Sequence, residues 1–306
     1  MKRLFAFVAM LLTSACCTSL PRVSGKRIDL PPFSPASGVR ESSEVWRDEA
    51  RRRDVPVRIY APAATPTSTP APVVIFSHGI GEDRDSYVWL GQALARHGFL
   101  AVHITHAGTD RAMLERGYRY LYRATKDPRN WIARPLDVTF VLDRLASRGD
   151  ADLSRVAVAG HSAGAFTAFA AGGVKLAAGG DFRHSRVKAI ISMSMPRLEG
   201  VVAEGGYDAV TIPTLHMTGT CDTSLIWRTF PRHRRIPFES SSRTGQYLLT
   251  FQGVTHDTFS AREERHHAEI ARATIAFLRA FLLNDSAARA WFDEAATAEA
   301  LTLERK

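Results

Sequence analysis

The chain has 306 residues, 45% of them hydrophobic and 23% charged, and Lys+Arg 40 against Asp+Glu 31 leave a formal net charge of +9. That ordinary globular composition excludes a wholly disordered, collagen-like or coiled-coil protein, and no run reaches the ~18 continuous apolar residues of a membrane-spanning helix. The cation excess is modest and scattered, so no nucleic-acid partner is implied, and 3 cysteines are too few for a disulfide scaffold or a Cys-rich metal site.

In chain order, the first segment reads as an export signal. Lys2 and Arg3 precede a short apolar core from Leu4 to Leu12, and the small residues Thr13-Ser14-Ala15 follow, ahead of Cys16. This layout resembles a bacterial lipobox, with Thr13 where leucine is usual. Residues 1–15 are therefore expected to be a lipoprotein-type signal and Cys16 the lipidation site. Cys17 is a second, poorer candidate, and simple cleavage and release is the alternative. Residues 16–43 form a Pro/Ser-rich tether, and a lipid anchor would place the protein on the bacterial cell envelope. Once the signal is removed, Cys221 is the cysteine left in the folded region, so no disulfide within the domain is expected.

The domain proper is expected over residues 44–283. Val45–Arg47 and Val55–Tyr60 read as a hairpin, and Ala61 to Pro72 as a long exposed hairpin loop. Val73–Ser77 is a continuous apolar run, the mark of a strand buried on both faces. Strands at Phe99–Ile104, Val156–Ala159, Ala189–Ser192, Thr214–Thr218 and Tyr247–Phe251 alternate with helical patterns. One such pattern begins near Pro135 and places Val138, Val141, Leu142 and Leu145 on a single face. A closing helix carries Ile270, Thr274, Phe277, Leu278 and Phe281. Strands separated by helices predict an α/β fold: a mostly parallel sheet with helices on both faces. Residues 284–306 are expected to be a helical extension.

Gly160-His161-Ser162-Ala163-Gly164 is a G-x-S-x-G sequence between a strand and a helix of small residues, the context a nucleophile elbow needs. The glycines remove side chains that would collide in a sharp turn and leave Ser162 at its tip. A serine nucleophile requires a base, and the base an orienting acid. His256 follows the last strand, and Asp222 follows the strand before it, so both belong to the edge of the sheet that carries Ser162. Asp208 precedes its strand and belongs to the wrong edge. The oxyanion hole is expected from the backbone N–H of Ala163 and, in the loop Ser77-His78-Gly79-Ile80-Gly81, that of Ile80. His103 and His106 lie three residues apart at a strand end without a third ligand, so no metal is expected, and no step needs a cofactor. Residues 105–130, with a stripe of Leu114, Gly117, Tyr118, Leu121 and Tyr122, fit either a packed surface helix or a pocket lid. Ser224 to Gly245, with Arg228, Arg232, Arg234 and Arg235, reads as a solvated loop or a second pocket wall.

Taken together, FSHGIGEDRDSY, VAVAGHSAGA, LHMTGTCD and GVTHDTF resemble the α/β-hydrolase superfamily. Within it they are most similar to bacterial predicted dienelactone hydrolases related to platelet-activating-factor acetylhydrolases. The resemblance implies a Ser-His-Asp carboxylic-ester hydrolase without cofactor, acting on a small-molecule or lipid ester. True dienelactone hydrolases use cysteine where this chain has Ser162, which favours an open ester over a lactone. The alternatives are a peptidase, amidase or lactone hydrolase on the same triad, or a non-catalytic binding protein on the scaffold.

Overall fold

Long apolar runs in this chain have nowhere to go but the middle of a sheet. In the computed structural model, Ala71–Ser77 (β3), Leu100–Ile104 (β4), Ala151–His161 (β5), Val187–Met193 (β6), Thr214–Cys221 (β7) and Gln246–Thr255 (β8) form that centre, mutually parallel. Two antiparallel strands, β1 (Val39–Asp48) and β2 (Arg53–Pro62), flank one side, β9 (Ala296–Thr297) and β10 (Leu301–Arg305) close the other, and the sheet order is β1-β2-β4-β3-β5-β6-β7-β8-β10-β9. The structure describes residues 17–18, 34–35, 38–63, 69–224, 227–293, 296–297 and 301–306. The expected signal, Cys16 and most of the tether lie outside them.

Helices cover both faces, as a buried parallel sheet demands. On one face α1 (Val88–Arg96) joins the closing helix His267–Leu282, and Leu90, Leu94, Phe277 and Leu278 pack on Phe76, Ile191 and Leu249. On the other face lie α4 (Pro128–Leu145) and α5 (Ala163–Ala171), where Val138, Val141, Leu142 and Phe166 meet Val73, Ile75 and Val158. Between β4 and α4 the chain makes two short helices, α2 (Arg111–Glu115) and α3 (Tyr118–Ala124). Beyond β7 come α6 (Pro231–Arg234) and α7 (Ile236–Glu239), then the closing helix, α8, and α9 (Ser286–Asp293).

Four expectations change. The segment after β2 is not a hairpin loop, because β4 lies between β2 and β3 and the chain crosses over it; residues 64–68 of that segment lie outside the described residues. Helix α4 starts at Pro128 rather than near Pro135: the Asp127 side chain accepts from the Arg129 backbone N–H, so capping fixes the start and Pro135 sits inside. Among its described residues the C-terminal segment is helical only in α9; Leu301–Arg305 (β10) then adds an antiparallel strand to β8, burying Leu301 and Leu303. Finally, Cys17 is bonded to Cys221, so the domain does carry a disulfide. Thr18 lies against the end of β7, its backbone N–H donating to the Thr220 carbonyl at 2.8 Å.

Candidate active site

The turn between β5 and α5 is built by what its glycines lack. A Cβ on Gly160 would lie 2.2 Å from the Gly164 carbonyl oxygen, and one on Gly164 would lie 1.8 Å from that of Ser77. Only a bare backbone closes the turn against β3. Ser162 is held at φ 53°, ψ −117°, a conformation costly for an L-residue and maintained by the packing around it. The side chain therefore stands at the N-terminus of α5, where helix N–H groups have no intrahelical partner.

His256 follows β8 directly and its ring centroid is 4.6 Å from that of His161, the residue before Ser162. Its Nδ1 lies 3.2 Å from Asp222 Oδ1 and 2.6 Å from Ser194 Oγ. The Ser194 hydroxyl donates to the same Asp222 oxygen at 2.8 Å, so the ring N–H is shared between the carboxylate and a hydroxyl that the carboxylate itself orients. Thr218 donates to the other oxygen, Oδ2, at 2.9 Å. The hydrogen bonds of the ring among the described residues run to Nδ1, and none is made at Nε2.

Asp222 is fully buried, and burial alone would raise its pKa. The Arg234 guanidinium, with Nε 3.1 Å from Oδ1, and the bonds from His256 and Ser194 overcome that and hold the carboxyl well below the usual range. Arg234 is itself buried; it donates to the Ser194 and Met195 carbonyls at 3.0 and 2.9 Å, and its Nη2 lies 3.1 Å from His256 Nδ1. Burial first, and Arg234 second, push the His256 pKa down to about 4, against the pull of Asp222. A neutral imidazole is what a general base needs. If the ring serves as base, the acid limb of kcat/KM is expected below the ordinary histidine range, where the ring would protonate. Arg234→Gln removes the cation facing the ring, and its acid limb in kcat/KM against pH is expected to move to higher pH. An unchanged limb would show that Arg234 does not act on the ring.

Neither the Ile80 nor the Ala163 backbone N–H donates to another protein group among the described residues, so both donors are free for an oxyanion. The loop that carries Ile80 is clipped to the elbow. Glu82 accepts from the Gly79 N–H at 3.0 Å and from the Tyr87 hydroxyl, and Tyr87 Oη lies 2.7 Å from His161 Nδ1. Burial would raise the Glu82 pKa; the His161 and Tyr87 contacts bring it down to about 2.

A second Ser–His–Asp chain lies behind this loop. Ser77 Oγ is 2.9 Å from His106 Nε2, and His106 Nδ1 is 2.9 Å from Asp137 Oδ2. All three residues are 0% exposed, so no substrate reaches them. Arg134 donates to Ser77 Oγ at 3.2 Å and to the His78 carbonyl, so this chain braces the oxyanion loop from below. It also accounts for His106, while His103 packs between the rings of Tyr60 and Phe76. Asp208 is bound to the Ser242 backbone N–H at 2.6 Å, away from Ser162.

Ser162 and Ala163 open onto a cavity of about 590 Å³ walled by Ile80, Trp131, Phe166, Phe182, Leu198 and Trp227. Thr125 and Lys126 reach it from the end of α3, and Trp227 from the Ser224–Gly245 stretch, so both long connections contribute walls. Sequence reasoning missed Ser194 and Arg234. For Ser194 the signal was its place directly after β6, at the edge of the elbow; Arg234 was one arginine in a basic run.

Among curated proteins none matches the sequence. A solved structure, a ferulic acid esterase from Streptomyces cinnamoneus, matches at 19% identity and TM-score 0.62, covering 82% of this chain and 93% of that one. That likeness supports the α/β fold. The family model described as PET hydrolase-like matches residues 56–300. The chain belongs to this PET hydrolase-like family of α/β-hydrolase-type esterases.

Proposed function

We propose that the protein is a serine carboxylic-ester hydrolase that works through an acyl-enzyme on esters of bulky, flat acids. The observation that carries the reading is the strained Ser162 elbow, whose neighbouring His161 ring lies 4.6 Å from that of His256, opening onto an aromatic-walled cavity. Ser162 attacks the ester carbonyl while His256 Nε2 takes its proton. Asp222 stabilises the imidazolium, with Ser194 sharing the Nδ1 proton, and the Ile80 and Ala163 N–H groups receive the oxyanion. His256 then protonates the leaving alkoxide, and water repeats the sequence to release the acid. Trp131, Phe166, Phe182 and Trp227 favour an aromatic acyl group over a short aliphatic one. The same reading includes export and lipidation at Cys16, on the signal-like start. The likeness to dienelactone and platelet-activating-factor hydrolases leaves lactones and lipid esters as substrates to compare.

The test is a panel of p-nitrophenyl and methyl esters with aromatic and aliphatic acids of matched leaving group, beside lactone and peptide substrates. The expected result is a kcat/KM at least roughly tenfold higher for aromatic acids, the worth of about 1.4 kcal/mol of extra cavity contact. Equal rates across acyl groups would remove the aromatic assignment, and cleavage of peptides in preference to esters would overturn the reaction class.

A further inference from the structure

Six large hydrophobic or aromatic side chains stand exposed among the described residues; two line the cavity and three stand on the helix that leads into its wall. Ile132 (44%) and Val201 (40%) line the cavity itself. Tyr118 (52%), Tyr120 (39%) and Tyr122 (43%) stand on α3, whose end supplies Thr125 and Lys126 to the cavity wall. The sixth, Val45, is on β1. Scattered exposed apolar residues need no explanation, but three exposed rings on one short helix beside a cavity wall mark a surface that meets something.

The charge around these tyrosines says what. Residues 116–126 carry four cations, Arg116, Arg119, Arg123 and Lys126, and no acid. Among the described residues none of the four pairs with a carboxylate, whereas Arg111 and Arg129 on either side do, with Asp83 at 2.6 Å and Asp127 at 2.7 Å. Instead three of them lie over tyrosine rings: Arg116 and Arg119 over Tyr120 at 5.4 and 5.2 Å, and Lys126 over Tyr122 at 5.0 Å. Helix α3 buries Leu121, which with Leu114 rests on the Gly81 position of the oxyanion loop, and presents the rest outward. Amphipathic rings interleaved with unpaired arginines suit a boundary between apolar chains and anionic headgroups.

We propose that the α3 face docks on an anionic lipid surface, bringing the cavity mouth to molecules held in or on that surface. A neutral polymer would satisfy the tyrosines but leave four cations without counter-charge. The proposal is independent of which ester is cleaved, so hydrolysis of a soluble ester serves as the folding control. The experiment is co-sedimentation of the full chain with vesicles of phosphatidylcholine alone and with about one-third phosphatidylglycerol, at near-physiological salt. Arg116→Gln/Arg119→Gln/Arg123→Gln and Tyr118→Ser/Tyr120→Ser/Tyr122→Ser are compared with the parent, since none of these residues lines the cavity. Each basic residue at an acidic lipid surface contributes roughly fivefold, so the triple arginine variant is expected to bind acidic vesicles about a hundredfold more weakly. Both variants should keep parental turnover of a soluble p-nitrophenyl ester. Parental binding that ignores the acidic lipid, or persists undiminished in the arginine variant, overturns the proposal. So does adsorption to a neutral polyester film in its place, or a dimer closed through this face.

Discussion

Replacing Ser162 with alanine is expected to lower kcat for ester hydrolysis by roughly 10⁴-fold or more, because members of a nucleophile–base–acid unit fail together. The folded state should be almost untouched. Ser162 is 5% exposed and its hydroxyl has no hydrogen-bond partner among the described residues, so alanine removes no bond that holds the turn. The strain at φ 53° belongs to the backbone and remains with alanine. Glycine is the informative contrast. Ser162→Gly should be equally inactive yet melt higher than the parent, since glycine adopts positive φ without a Cβ penalty. Turnover, thermal melting and labelling by a fluorophosphonate probe check this together. A folded alanine variant that kept about a tenth of parental kcat, or still took up the probe at an equal rate, would move the nucleophile elsewhere.

The second large effect concerns the acid. Asp222→Asn keeps the size of the side chain but loses the charge that holds the Nδ1–H tautomer of His256, and kcat should fall by roughly 10³- to 10⁴-fold near neutral pH. The variant should also lose stability, because Arg234 is buried against Asp222 and would be left as an unpaired cation, a loss of about 3–5 kcal/mol for a buried pair broken on one side. Asp257 is the control. It adjoins His256 in sequence but pairs with Arg262 at the surface at 3.0 Å, with both side chains more than half exposed. Asp257→Asn should stay within about tenfold of the parent, in keeping with the small worth of a surface pair. The reverse pattern in kcat would reassign the acid while leaving Ser162 and His256 in place.

What could be read from the sequence was what is written locally. The Val73–Ser77 run, the strand–elbow–helix around Ser162 and the apolar stripe of Val138 to Leu145 carry their structure in adjacent residues, and each stands where its pattern placed it. Asp222 and His256 were reachable because each follows a strand of the same sheet, so chain order alone put them at one edge. The rest depends on partners far away in sequence. Arg234 looks like its neighbours until the fold lays it across Asp222 and the Ser194 carbonyl, 40 residues earlier. Leu301–Arg305 is too short to declare itself a strand; β8 offers it a free edge. The pairing of Cys17 with Cys221 spans 204 residues and has no local signature. The buried Ser77–His106–Asp137 chain carries the opposite lesson, since it has the residue types of a hydrolytic triad and only burial shows that it is a brace.

The bond between Cys17 and Cys221 has a mechanical consequence. It fixes Cys17 to the residue directly before Asp222. Anything that holds the chain ahead of Cys17 to a support would therefore act as a short leash attached beside the active site. The domain could swivel about that point but could not turn its working face far from the support. Reducing the bond would hand the leash the residues between Cys17 and Val39, which at about 3.4 Å each extend to roughly 70 Å. The same chain would then sweep a hemisphere far larger than its own diameter, with its orientation free. A single covalent link thus separates a hydrolase that works on what lies directly beneath it from one that ranges over its surroundings.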